Sequence, residues 1–110
     1  MINISLFRNQ TGQLTGFSVS GHAGYAEAGA DIVCASVTTA AFTAVNGLTD
    51  VIGIEAEVTM QEGYLSCKMP EALAREKRQM ADVLLESMVL SFQNFAEQYG
   101  AYVSLETKRI

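Results

Sequence analysis

Residues 54–69 read Ile54-Glu55-Ala56-Glu57-Val58-Thr59-Met60-Gln61-Glu62-Gly63-Tyr64-Leu65-Ser66-Cys67-Lys68-Met69. Ile54, Ala56, Val58 and Met60 alternate with polar or charged side chains, and Leu65, Cys67 and Met69 form the next apolar face. Successive side chains of a strand point to opposite sides, so this period of two predicts two strands with one buried face each. Gln61-Glu62-Gly63 turns the chain between them, which makes the segment a β-hairpin. Helical patterns flank the hairpin on both sides, and that placement decides the fold class.

Upstream, Ile32, Val33, Val37, Ala40, Ala41, Ala44, Val45 and Leu48 follow Asp31, a residue type suited to cap a helix start. This predicted helix is apolar nearly all round and so belongs in a core. Gly47 either lies inside it, at a cost of roughly 1 kcal/mol, or marks its end. Downstream, Pro70 is placed to open a long helix. Its predicted core stripe runs Leu73, Met80, Leu84, Met88, Phe92, Phe95 and Tyr99, with Gly100 as the C-terminal cap.

Further out, Ile2, Ile4 and Leu6 alternate as a first strand, and the Thr11-Gly12 turn leads to a second. Leu14 and Gly16 share one phase there, whereas Phe17 and Val19 take the other. A bulge at Gly16 reconciles them, so residues 1–20 read as a hairpin. Ala101, Val103 and Leu105 supply a last strand. The order β-β-α-β-β-α-β predicts a single α+β domain over residues 1–110, with a mainly antiparallel sheet and two helices.

A chain of 110 residues with 49% hydrophobic and 17% charged residues can bury a core of its own. Its net charge of −5 argues against a nucleic-acid partner, which requires clustered Lys and Arg, and suits a basic peptide or protein. Arg75, Lys77 and Arg78 cluster around Glu76, which reads as a solvated helix face. The least polar stretch, Ile32 to Val45, is interrupted by Ser and Thr and reads as too short to span a bilayer, so no membrane partner is expected. Met1-Ile2-Asn3-Ile4-Ser5 lacks the basic start and apolar run of a signal peptide, and a cytoplasmic location is expected. Cys34 and Cys67 should then stay unpaired. One His and two Cys are too few for a structural zinc site, and no phosphate-binding loop or dinucleotide fingerprint is present; no metal or cofactor is expected.

The remaining stretch, Gly21-His22-Ala23-Gly24 followed by Asp31-Ile32-Val33-Cys34, carries chemistry. Residues 21–31 fit neither period and hold three glycines, which reads as a long loop. His22 is the only histidine. With Asp31 as cap, Cys34 falls on the third helical position, where free N–H groups and the helix dipole favour a thiolate. An imidazole brought within reach would hold that thiolate or take its proton. The same N–H groups would suit the oxyanion of an attacked carbonyl. Two readings of Asp31 stand side by side: it caps the helix, or it turns to His22 and fixes its tautomer. Taken alone, a His and a Cys twelve residues apart are a weak signal, because a Cys in an apolar helix is usually a small hydrophobe. Cys67 shares a strand face with Leu65 and Met69 and reads as core.

Gly21-His22-Ala23-Gly24-Tyr25-Ala26, then Gly29-Ala30-Asp31-Ile32-Val33-Cys34-Ala35, resembles the signature of the bacterial ribosomal-processing cysteine protease family. Length, acidity and element order are similar over essentially the whole chain. The resemblance implies an endopeptidase that removes the N-terminal extension of a large-subunit ribosomal protein, cutting after an aromatic residue. It implies His22 and Cys34 as the catalytic dyad and Asp31 as the active-site acid. A family hydroxyl, often Ser, matches Thr38. It also implies a homodimer and a His-to-Cys loop that orders over substrate. Two rivals stand beside it. One is a non-catalytic module that binds a ribosomal protein during assembly, which the acidic charge and small size would serve equally well. The other is an enzyme that keeps the Cys-His pair for acyl transfer or deamidation.

Overall fold

The computed structural model describes residues 1–21 and 28–110, with side chains for 1–21 and 32–110. The strands are β1 (Ile2–Arg8), β2 (Leu14–Ser20), β3 (Glu57–Gln61), β4 (Tyr64–Lys68) and β5 (Val103–Arg109); the helices are α1 (Ala28–Asn46) and α2 (Arg75–Gln98). The predicted order and class hold. Among the described residues the five strands form one sheet in the order β3-β4-β2-β1-β5, antiparallel except for the β1–β5 pair. These pairings make β2 parallel to β3 and β4 parallel to β5, each joined through a helix. Right-handed crossovers that leave oppositely directed strands toward opposite edges place both helices on one face. There α1 packs against α2, and Phe17 of β2 meets Phe92 of α2 edge-on, with ring centroids 6.2 Å apart.

The bulge lies where the phases demanded it. Phe7 pairs with Gly16 but Arg8 pairs with Leu14, so the extra residue brings Leu14, Phe17 and Val19 onto the buried face. A Cβ on Gly16 would stand 2.8 Å from the Cys67 carbonyl oxygen, which explains the glycine there.

Both helix starts differ from expectation. Pro70 does not open α2, which begins five residues later at Arg75. Met69 donates its N–H to the Thr15 carbonyl at 2.8 Å, and a residue before proline is held extended, so the chain stays strand-like past Pro70. Leu73 packs on the core from this connection rather than from the helix. The buried stripe of α2 is Ala81, Leu85, Met88, Val89 and Phe92. Met88 and Phe92 are as predicted, and Leu84, Phe95 and Tyr99 pack at its margin. Ala81 and Leu85 take the places expected for Met80, which is exposed, and Leu84. Tyr99 ends the helix, donating its N–H to the Phe95 carbonyl at 2.7 Å, and Gly100 does not adopt the left-handed cap conformation.

Helix α1 begins at Ala28, three residues before Asp31. Ala28 and Ala30 are strong helix formers, and Gly29 costs least in a first turn, whose N–H groups have no helical partner. At the other end Gly47 directly follows the last residue of α1, Asn46, as one of its two readings expected. The chain continues as a π-helical segment, Gly47–Ile52, which Gly53 closes in the left-handed conformation (φ 84°). A Cβ on Gly47 would lie 2.5 Å from a Leu84 methyl, so glycine here lets the π-helical segment approach α2. The joined segment Ile32–Ile52 has 21 residues, so the view that it is too short for a bilayer is corrected: by length and composition alone it would suffice. Its Val37, Ala41 and Leu48 are fully buried, but Ile32 and Val51 are exposed and only 33% of its most apolar stretch is buried. One face therefore packs into the core, and the expected all-round burial does not hold.

Candidate active site

Two cavities decide where chemistry is feasible. The larger, about 710 Å³, lies by the β1–β2 turn and the 69–73 connection and is lined by Phe7, Gly16, Lys68, Pro70 and Leu73. Cys67 borders it, but that thiol is 3% exposed, and burial pushes its pKa from 9.0 up to about 11. A buried neutral thiol is a poor nucleophile, so Cys67 is core, as its strand phase predicts.

The shift makes Cys67 a stability sensor. The fold favours the neutral thiol, so the native state keeps its proton between 9.0 and about 11 while the unfolded chain loses it. Stability should therefore be unaffected below pH 9 and fall as pH rises through that window, by at most about 2–3 kcal/mol. Urea unfolding at stepped pH checks this, and Cys67→Val should remove the slope.

The smaller cavity, about 180 Å³, holds Cys34. Helix α1 supplies Cys34, Val37, Thr38 and Phe42; the hairpin supplies Met60, Gln61, Gly63, Tyr64 and Leu65; β2 ends into it through Val19 and Gly21. Cys34 is half-buried, and Thr38 stands one helical turn beyond it on the same side. Residue chemistry pointed to Cys34, and Thr38 entered only through the family resemblance. The hairpin residues carry no local signal, because they reach the cavity only by strand pairing.

The position of Cys34 differs in one respect that matters. It is the seventh residue of α1, not the third helical residue. By the i→i−4 rule its N–H belongs to the helical ladder, and the dipole fades beyond the first turn. The helix start therefore gives the sulfur little activation, and the Cys34 N–H is not a free oxyanion donor. Asp31 falls in the first turn rather than at the cap, so the cap reading is corrected; its side chain lies outside the described residues. His22 also lies outside the described residues. Among the described residues no cluster of His, Cys, Asp and Glu could hold a metal ion.

Gly21 explains itself. It has φ 92°, its N–H donates to the Gly63 carbonyl at 2.8 Å, and a Cβ would run into the Met1 carbonyl oxygen. Only glycine lets β2 end at the cavity wall in this way. Gly21→Ala should destabilise the fold by more than about 1 kcal/mol and lower any activity of the site. Thermal unfolding and an activity assay together check it.

A half-buried thiol on a helix flank, in a cleft beside a strand hairpin, defines a candidate cysteine-nucleophile enzyme. The family model of the cysteine protease Prp matches residues 1–104, and the chain belongs to that family. The ribosomal processing cysteine protease Prp of Bacillus subtilis is 37% identical over 112 residues, covering the whole of both chains. Its Staphylococcus aureus counterpart is 26% identical over 98% of this chain and all of that one. Among solved structures, one from Streptococcus mutans superposes with a TM-score of 0.88 at 28% identity, over 100% of this chain and 96% of that one. Staphylococcus aureus Prp with a covalently linked product peptide superposes with a TM-score of 0.83 at 26% identity, over 98% and 100%.

Proposed function

We propose that this chain is a cysteine endopeptidase that removes the N-terminal extension of a large-subunit ribosomal protein, cutting after an aromatic residue, with Cys34 as nucleophile and His22 as base. The observation that carries the reading is the partial exposure of Cys34 in a cavity whose wall includes Gly21. The names of the relatives support the substrate class.

Because Cys34 sits beyond the first turn of α1, its activation falls on the imidazole. His22 takes the thiol proton; the sulfur attacks the scissile carbonyl; the protonated ring then gives its proton to the departing amine. Water, deprotonated by the same ring, frees the acid product. Asp31 orients His22 in this scheme, so Asp31→Asn should lower kcat without lowering the melting temperature. The enzyme works as a cytoplasmic homodimer and needs neither nucleic acid nor membrane, in keeping with its net charge of −5.

The test mixes the extended ribosomal protein with wild type or Cys34→Ala and follows mass. A shortened product with wild type alone supports the proposal. An intact protein with both leaves a binding role instead, and a mass change without chain cleavage points to acyl transfer or deamidation.

A further inference from the structure

Among the described strands β3 is an edge of the sheet, and the register shows which of its backbone groups are already paired. Around β4, the Gly63 carbonyl accepts from the Gly21 N–H and the Met69 N–H donates to the Thr15 carbonyl, both at 2.8 Å. Odd-numbered positions there thus address β2. Residues of an antiparallel strand alternate in this respect, so Tyr64, Ser66 and Lys68 address β3, opposite Gln61, Thr59 and Glu57. The N–H and C=O of Val58 and Met60 then point out of the sheet. Edges are usually blunted by charge, Pro or a bulge; Glu57–Gln61 has no Pro and no bulge, and its one charged residue, Glu57, stands at the start of the strand.

The side chains of Val58 and Met60 face the helix layer, because they stand opposite Cys67 and Leu65, which are buried. Met60 is nevertheless 56% exposed, since α1 does not reach over the edge. Met60 shares the Cys34 cavity with Thr38 and Phe42. A strand edge with no strand partner among the described residues thus runs beside an apolar shelf that leads to the nucleophile, which is what an extended peptide requires.

We propose that the substrate segment flanking the scissile bond binds as an added strand on β3. Its backbone exchanges hydrogen bonds with Val58 and Met60, and alternate side chains lie between Met60 and the Thr38–Phe42 flank of α1. This rests on the protease reading above. Glu55, Glu57 and Glu62 are exposed around the edge, so a segment carrying Lys or Arg is favoured.

The test uses peptides spanning the extension junction of the ribosomal protein, each with one N-methyl group, placed at successive residues two or more from the scissile bond. With wild-type enzyme, KM should rise roughly tenfold at every second position and little at those between, the value of about one hydrogen bond. A flat scan, with the unmodified peptide still cleaved, overturns strand addition and leaves the protease reading standing. No cleavage of the unmodified peptide overturns the protease reading, and this proposal with it. Independently, Val58→Pro removes one outward N–H at a position where an edge tolerates proline. It should raise KM roughly tenfold with kcat and melting temperature near wild type; an unchanged KM counts against the proposal.

Discussion

Cys34→Ala should lower kcat/KM for the junction peptide by at least about 10⁴-fold, since removal of a nucleophile leaves only binding and polar stabilisation. Cys67 cannot substitute, because it is buried and its thiol is pushed up to about 11. The fold should survive. Cys34 only borders the core, so the variant loses a small contact worth about 1 kcal/mol. The expected signature is an inactive protein with a nearly unchanged melting curve that still binds the peptide. Iodoacetamide labelling of wild type gives an independent check: Cys34 should react much faster than Cys67, and His22→Ala should slow it. Full cleavage by Cys34→Ala would remove this residue from the mechanism.

Phe92→Ala should have the largest effect on stability, about 3–5 kcal/mol. Phe92 has no exposed surface, and its ring meets Phe17 at 63° with centroids 6.2 Å apart. The contact joins α2 to β2, the central strand of the sheet, so its loss leaves a cavity between the two layers. Domains of this size are stable by only about 5–15 kcal/mol. A fall of about 15–25 °C in melting temperature follows. Urea unfolding should show a lower midpoint with an unchanged slope. A loss below about 1 kcal/mol would mean that neighbouring Leu85, Met88 or Val89 refills the space.

Much of the architecture was legible in the chain, for local reasons. Alternation let the hairpin at residues 57–68 be read directly, although only β4 has the expected buried face and β3 is exposed throughout. The phase break between Leu14 and Phe17 required the bulge that appears beside Gly16. Cys34 of the candidate site was visible from its place near a predicted helix start, whereas Thr38 came only from the family resemblance. Helix limits were not legible, and the buried face of α2 only in part: Met88 and Phe92 of the predicted stripe are buried, but in its first half Ala81 and Leu85 take the places expected for Met80 and Leu84. A stripe shifted by one residue rotates by about 100°, and between Met80 and Ala81 the apolar pattern offers too little contrast to choose.

By itself the chain determined the element order, the class of the domain and the local motif around Cys34, because each follows from the period and chemistry of neighbouring residues. Tertiary structure decided what depends on distant partners. The Met69–Thr15 hydrogen bond holds the chain extended past Pro70. The contact between Gly47 and Leu84 sets the approach of the helices. Strand pairing carries Met60 and Tyr64 to the cavity of Cys34. Periodicity records which side of an element is buried; packing alone selects what that side meets.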